Sequence, residues 1–206
     1  MKSYFFKYLI LSIFFIYIFI PNKVISKSLL EITEDDFFIG NENAKVTIIE
    51  YASLSCSHCA DFHINALPKI IEEYVDTGKA KIVFRNFPFN YPALLGSMLL
   101  ECVSKDIRYD YLSALYKLQS KWVSRENAKT SQELYKIMQS GGMSKEKFDE
   151  CSSNEELEGN IIQGIMDAQE EFGIKSTPSF IINGTLLQGN KSIKDFRQII
   201  DKILSQ

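Results

Sequence analysis

Two apolar patterns run through this chain: short runs rich in β-branched and aromatic residues, and stripes that recur at four-residue steps. Lys45–Tyr51 (KVTIIEY) is rich in β-branched and aromatic residues and predicts a strand. Ser53 to Ser57 are small and polar apart from Leu54, which suits the start of a helix. From Cys59 to Val75 the apolar positions Phe62, Ala66, Ile70 and Tyr74 recur at four-residue steps, a helical stripe. Pro68 lies inside that stripe and is expected to kink or interrupt the helix. Gly78 ends it, and Lys81–Phe87 (KIVFRNF) predicts a second strand. Strand, helix and strand in this order make a βαβ unit whose two strands run parallel.

The rhythm then changes. Between Pro92 and Phe172 no convincing strand occurs, and helical stretches fall near 93–104, 107–121, 130–140, 144–151 and 154–172. The last carries Leu157, Ile161, Ile165, Ala168 and Phe172 on one face. Gly141 and Gly142 separate two of these helices as C-terminal caps. Strand character returns at Ser179–Ile182, and Asn183–Gly184 is a strong hairpin signal because both residues tolerate positive φ. Thr185–Gln188 is the return strand. Ser192 with Asp195 then reads as a capping box that opens a final helix. The whole is βαβ, a helical insertion, then ββα.

The first 26 residues differ from all of this. Lys2 and Lys7 precede an uncharged apolar run, Tyr8 to Ile20, which Pro21 breaks. That order is that of a secretory signal peptide, with Val24 and Ser26 at the small-residue positions and cleavage after Ser26. The alternative is an uncleaved anchor, since the run falls somewhat short of the roughly 20 residues that span a bilayer. Either way the remainder is expected outside the cytoplasm. The rest of the composition is globular, with 46% hydrophobic and 24% charged residues. A formal charge of −3 argues against nucleic acid, because neutralising phosphates requires a basic face.

Export changes the meaning of the four cysteines, since an oxidising compartment permits disulfides. Cys56 and Cys59 sit in Ser55-Cys56-Ser57-His58-Cys59, where the first strand gives way to a helix. There the unpartnered amides of the first turn and the helix dipole favour a thiolate at Cys56, as does His58 when protonated. Cys59 lies one turn later, within reach of Cys56. Thiol–disulfide exchange needs such a pair, one accessible thiol of low pKa and one buried partner that resolves the intermediate. A CxxC is also half of a zinc site, but His58, His63, Cys102 and Cys151 form no second close pair. A static disulfide is the other alternative, and a loop this tight gains little chain entropy. Thr177-Pro178 opens the second group of strands, a place where a residue without an amide donor needs a reason.

The order of elements, the CxxC and the Thr-Pro pair resemble the thioredoxin fold. With its helical insertion of about eighty residues the chain resembles the DsbA family of periplasmic thiol oxidases, from about Asp36 to the end. The segments that carry the likeness are VTIIEYASLSCSHCADFH, the insertion and STPSFIINGTLLQG. The resemblance implies an α/β fold divided into residues 27–91 and 173–206 as the thioredoxin-like part and 92–172 as the inserted helical part. It implies Cys56 as the attacked and attacking sulfur, Cys59 as the resolving one and His58 as a stabiliser of the thiolate. Pro178 would be cis against the disulfide, and Thr177 would offer its backbone to an extended substrate. Glu50 matches an acidic residue buried beneath the site that relays a proton from Cys59; the bland alternative is an exposed strand carboxylate. His63 reads as a residue of the helical face. Cys102 and Cys151 resemble a second, non-catalytic disulfide of an α-proteobacterial branch, the alternative being two separate buried thiols.

Two positions depart from the best-studied enterobacterial member: Ser57 stands where it has proline, and Thr177 where it has valine. Both flank the sulfurs and can shift redox poise. The expected activity is donation of the Cys56–Cys59 disulfide to reduced, unfolded exported proteins by a monomer without cofactor or metal. A quinone-linked membrane protein resembling DsbB would re-oxidise it in the periplasm. The rival readings are a disulfide isomerase or reductase, and a peptide-binding, chaperone-like module with incidental redox chemistry.

Overall fold

The computed structural model describes residues 28–206. The expected signal segment, 1–26, lies outside the described residues. Strands β1 (Phe37–Gly40), β2 (Val46–Ala52), β3 (Ala80–Asn86), β4 (Ser179–Ile182) and β5 (Thr185–Gln188) form one sheet in the order β1-β3-β2-β4-β5. As the βαβ pattern requires, β2 and β3 are parallel, with Ile48 beside Ile82; the other neighbours are antiparallel. The order is that of the thioredoxin fold. β1 lies in the polar lead-in, where the sequence pattern does not announce a strand.

β2 occupies the centre and is covered on both faces, so its side chains sort by parity. Val46 and Ile48 pack with Phe62, Ile70, Phe180 and Phe196. Ile49 and Tyr51 pack with Val83, Ala168 and Ile181 on the other side. Glu50 shares the parity of Ile48 and therefore points toward the helix that follows β2. The first face is built around three aromatic rings: Phe62 lies 4.6 Å from Phe180 and 5.4 Å from Phe196, centroid to centroid. β4 and β5 join through Asn183 (φ 44°) and Gly184 (φ 84°), the hairpin the Asn-Gly pair predicts.

The helix after β2 is irregular in a way that explains its sequence. It runs as α1 (Ser57–Asp61), a wide π turn (Phe62–Ala66), α2 (Leu67–Ile70) and a second π turn (Ile71–Val75). Pro68 has no amide to donate, and just before it the turn opens so that the Leu67 N–H bonds the carbonyl of Phe62. Residues four apart drift by about 40° per step around a regular α-helix. The two wide turns absorb that drift, and Phe62, Ala66, Ile70 and Tyr74 all stay buried on one face.

Between β3 and β4 stand six helices: α3 (Tyr91–Glu101), α4 (Lys105–Lys117), α5 (Gln119–Trp122), α6 (Asn127–Ser140), α7 (Lys145–Ser152) and α8 (Glu155–Phe172). Asn90 caps α3, its side chain accepting from the Ala93 amide at 3.1 Å. The single helix expected over 107–121 is two, because the chain turns at Leu118 (φ −99°, ψ 9°). Leu99, Leu115, Trp122, Leu134, Met138 and Cys151 fill the insertion, and Cys59 and Ala60 of α1 belong to the same apolar cluster. The insertion thus packs directly on the first turn of the CxxC helix. Cys102 and Cys151 are joined in a disulfide, S–S 2.15 Å, across a sequence separation of 49. The C-terminal helix α9 (Ile193–Leu204) opens with the Ser192–Asp195 capping box and buries Phe196 and Ile200 under the sheet.

Candidate active site

The end of β2 and the start of α1 set the position of Cys56. Its own amide bonds the Ser53 carbonyl at 3.0 Å, closing a turn, and its carbonyl accepts from Ala60 at 3.1 Å, the first helical bond. Cys56 is therefore the N-cap itself (φ −81°, ψ 122°), and its sulfur stands where a capping oxygen would. A thiolate there receives what a cap receives. The hydrogen bond from the Cys59 thiol is the largest influence, joined by the Thr177 side chain and the amides of Cys59 and His58, and together these overcome partial burial and hold Cys56 at about 5. Cys56 Sγ also lies 3.4 Å from the Thr177 carbonyl oxygen, a contact that the thiol but not the thiolate can make. The four donors to sulfur outweigh it. The Thr177–Pro178 bond is cis.

Cys59 lives under opposite conditions. It is fully buried, and burial first, then the hydrogen bond it donates to Cys56, then the nearby Glu50, push its thiol far up. The two sulfurs are free in this structure. One is poised as an anion at the surface, the other kept neutral beneath it.

Under the sulfurs lies a buried polar pair. Glu50 is 0% exposed and His63 8%. His63 Nε2 sits 3.1 and 3.0 Å from the two carboxyl oxygens of Glu50. The His63 ring stacks on Tyr116, centroids 4.0 Å apart. Tyr116 is itself buried, and its phenol is pushed well above the usual range by burial, then by Cys59 and Glu50.

The helical insertion also reaches the loop before α1. Gln119 Nε2 donates to the carbonyl oxygens of Leu54 at 2.8 Å and Cys56 at 2.9 Å. Ser55 Oγ donates to Asn90 at 3.0 Å, joining the same loop to the cap of α3. At the end of α1, Asp61 accepts from Asn190 at 2.6 Å.

Cys56, Cys59, Glu50, Thr177 and Pro178 thus converge, although they come from distant parts of the chain. His58 serves Cys56 through its main-chain amide, while its exposed ring acts on Asp61. His63, read from sequence as an ordinary helical-face residue, is instead inside the site. Its signal was present: it follows Cys59 by four residues and shares its face. Gln119 and Tyr116 carry no such local signal. Among the described residues no three His, Cys, Asp or Glu side chains gather as a metal site.

Fold and site together define a class, that of enzymes exchanging thiols and disulfides on a thioredoxin scaffold. The family model described as thioredoxin matches residues 32–202. A protein-disulfide oxidoreductase of Rickettsia bellii is 32% identical over 90% of this chain and 71% of its own length. One from Rickettsia conorii is 29% identical over 87% of this chain and 64% of its own, so the chain spans about two thirds of the length of these relatives. The crystal structure of α-DsbA1 from Wolbachia pipientis superposes with a TM-score of 0.80 at 30% identity, covering 86% of this chain and 94% of that one. The chain belongs to the DsbA-type protein-disulfide oxidoreductases of the thioredoxin family.

Proposed function

We propose that this protein acts as an oxidase, passing the Cys56–Cys59 disulfide to reduced polypeptides outside the cytoplasm. The observation that carries the reading is the asymmetry of the two sulfurs, with Cys56 held at about 5 and Cys59 buried. Whatever stabilises the Cys56 thiolate stabilises the reduced enzyme, since the disulfide has no charge to stabilise. A disulfide whose reduced form is favoured is given up readily. Substrate thiolate attacks the Cys56 sulfur, Cys59 leaves, and a second substrate thiolate then frees Cys56 as an anion. Two electrons pass from substrate to enzyme.

The Thr177 main chain beside Cys56 is suited to an extended substrate, in keeping with the family resemblance. The apolar Tyr8–Ile20 run after Lys2 and Lys7 supports export to the periplasm, and no helix among the described residues is long and apolar enough to cross a membrane. A quinone-linked partner of DsbB type would restore the disulfide, and the enzyme would work as a monomer. The redox state of Cys56 and Cys59 in protein quenched with acid directly from its own cells tests the direction. The oxidised pair is expected. A pair found reduced would replace this reading with the isomerase or reductase.

A further inference from the structure

Cys59 presents a proton problem. When the Cys56–Cys59 bond breaks, the Cys59 sulfur departs with the electron pair, and a thiolate at a fully buried position must take up a proton. When the bond re-forms, the Cys59 thiol must give that proton away before its sulfur can attack. Solvent has no direct access to a sulfur that is 0% exposed.

The buried pair below it has what is needed. His63 Nε2 lies at nearly equal distance from both Glu50 oxygens, and a hydrogen bond between these groups requires at least one proton held between them. Glu50 is close enough to act on Cys59 through its charge. His63 follows Cys59 by four residues on the same helix and lies in the π turn that Pro68 accompanies. Beside the pair is a cavity of about 20 Å³ lined by Glu50, His63, Tyr116, Asn86, Glu101 and Arg108. That volume suffices for a single water molecule.

The other charged groups around the pair are themselves compensated. Arg108 of α4 is bonded to Glu101 at 2.6 Å, and Arg85 of β3 to Asp36 at 2.8 Å. From α4, Tyr109 and Tyr116 face Glu50 as phenols that burial keeps protonated. From α1 the facing groups are Cys56 and Cys59 themselves. His63 is the one group among these in hydrogen-bond contact with both carboxyl oxygens of Glu50.

We propose that His63 is a positioning residue for the exchange reaction: with Glu50 it holds the proton that Cys59 takes when its bond to Cys56 breaks, and it receives that proton back when the bond forms. The inference rests on the disulfide-exchange reading above. In the forward direction the pair gives its proton to Cys59 and stays one proton poorer in the reduced enzyme, and both protons of the substrate dithiol go to solvent because Cys56 leaves as a thiolate.

The test is stopped-flow mixing of the reduced protein with oxidised glutathione, following formation of the Cys56 mixed disulfide and its resolution by Cys59 from pH 5 to 9. His63→Gln keeps a hydrogen-bonding amide beside Glu50 but cannot exchange a proton. Resolution in this variant should be at least about tenfold slower at pH 7, with a flattened pH profile. The Cys56 thiolate titration, read by ultraviolet absorbance, should not move. Adding Glu50→Gln should slow the reaction no further than Glu50→Gln alone, since the two act as a unit. Wild-type resolution kinetics in His63→Gln, or slowing by the same factor at every pH, would overturn the proposal. Should that variant fail to fold, ¹⁵N-histidine NMR and carboxyl infrared spectra of the oxidised and reduced wild type decide instead. They should show a protonation change at His63 or Glu50, and identical spectra would overturn the proposal. A wild-type protein that forms no mixed disulfide at all would remove the exchange reading, and this inference with it.

Discussion

Two cysteine pairs occupy this molecule under opposite physical conditions. Cys102 ends α3 and Cys151 lies in α7, so their bond ties together helices far apart in sequence, with Cys151 buried in the insertion's core. Cys56 and Cys59 are neighbours on one helical turn, and the surroundings favour one as an anion and the other as a thiol. The first pair closes a long loop, so its bond acts chiefly by limiting the unfolded chain. For the second the surroundings offer the separated sulfurs a hydrogen bond to each other and amides for the thiolate. Whether a disulfide braces a fold or is ready to leave it depends on what the reduced state is given, and here the two answers lie in one chain.

The largest effect should come from the pair at the helix start. Cys56→Ser should abolish exchange with oxidised glutathione, while Cys59→Ser should still form the mixed disulfide but not resolve it. Mass spectrometry of quenched reactions reads both; a Cys56→Ser protein that still exchanges would break the contrast at its root. Next comes the distant pair. Closing a loop of 49 residues stabilises by about 4 kcal/mol on the chain-entropy argument. Cys102→Ser with Cys151→Ser should lower the denaturation midpoint accordingly and leave Cys56 reactivity in place. Loss of exchange in this variant would mean the two pairs are coupled.

The same double variant sharpens the comparison through pH, since reductant then acts on one pair only. Reduced Cys56 is held at about 5, far below an unfolded thiol at about 8.5. A depressed acid stabilises the fold in full above its unfolded value, and that contribution disappears as pH falls through the folded one. The reduced form should therefore melt higher than the oxidised form near pH 9, and the gap should narrow as pH drops toward 5. Calorimetry in both redox states measures it, and a gap constant over that range would contradict the thiolate at the helix cap. The smallest effect expected is at the clamp. Gln119→Ala removes the side-chain donor shared by the Leu54 and Cys56 carbonyls, the latter keeping its bond from the Ala60 amide, which should cost about 1–2 kcal/mol of stability and slow exchange severalfold. Unchanged exchange would show that the loop holds its shape without the insertion.

What could be read beforehand was local. The strand KVTIIEY, the CxxC at its end, the Asn-Gly hairpin and the Ser192–Asp195 cap each state their conformation within a few residues. The features that escaped are set by partners elsewhere. β1 is four residues long and exists because Phe37 finds Phe84 on β3, a pairing that period-two alternation in FFIG does not announce. The break at Leu118 hides in a continuous helical pattern, yet it starts α5 at Gln119, whose side chain holds the active-site loop. His63 had the right spacing from Cys59, but only the parity of Glu50 on β2 gives its ring something to meet.

The sheet order also dictates how the site comes into being as the chain is made. β2 is flanked by β3, which follows closely, and by β4, which arrives only after the whole insertion. Synthesis runs from the N-terminus, so Cys56 exists long before Thr177, which lies 121 residues later. During that interval it lacks the Thr177 wall, the Gln119 clamp and the Tyr116 roof over Glu50 and His63. Cys102 also emerges before Cys151. A nascent chain therefore carries three cysteines with no correct long-range partner among them, and its own reagent is not yet assembled. Only the last seventh of the sequence completes the site, so no shorter chain can hold Cys56 as the finished protein does.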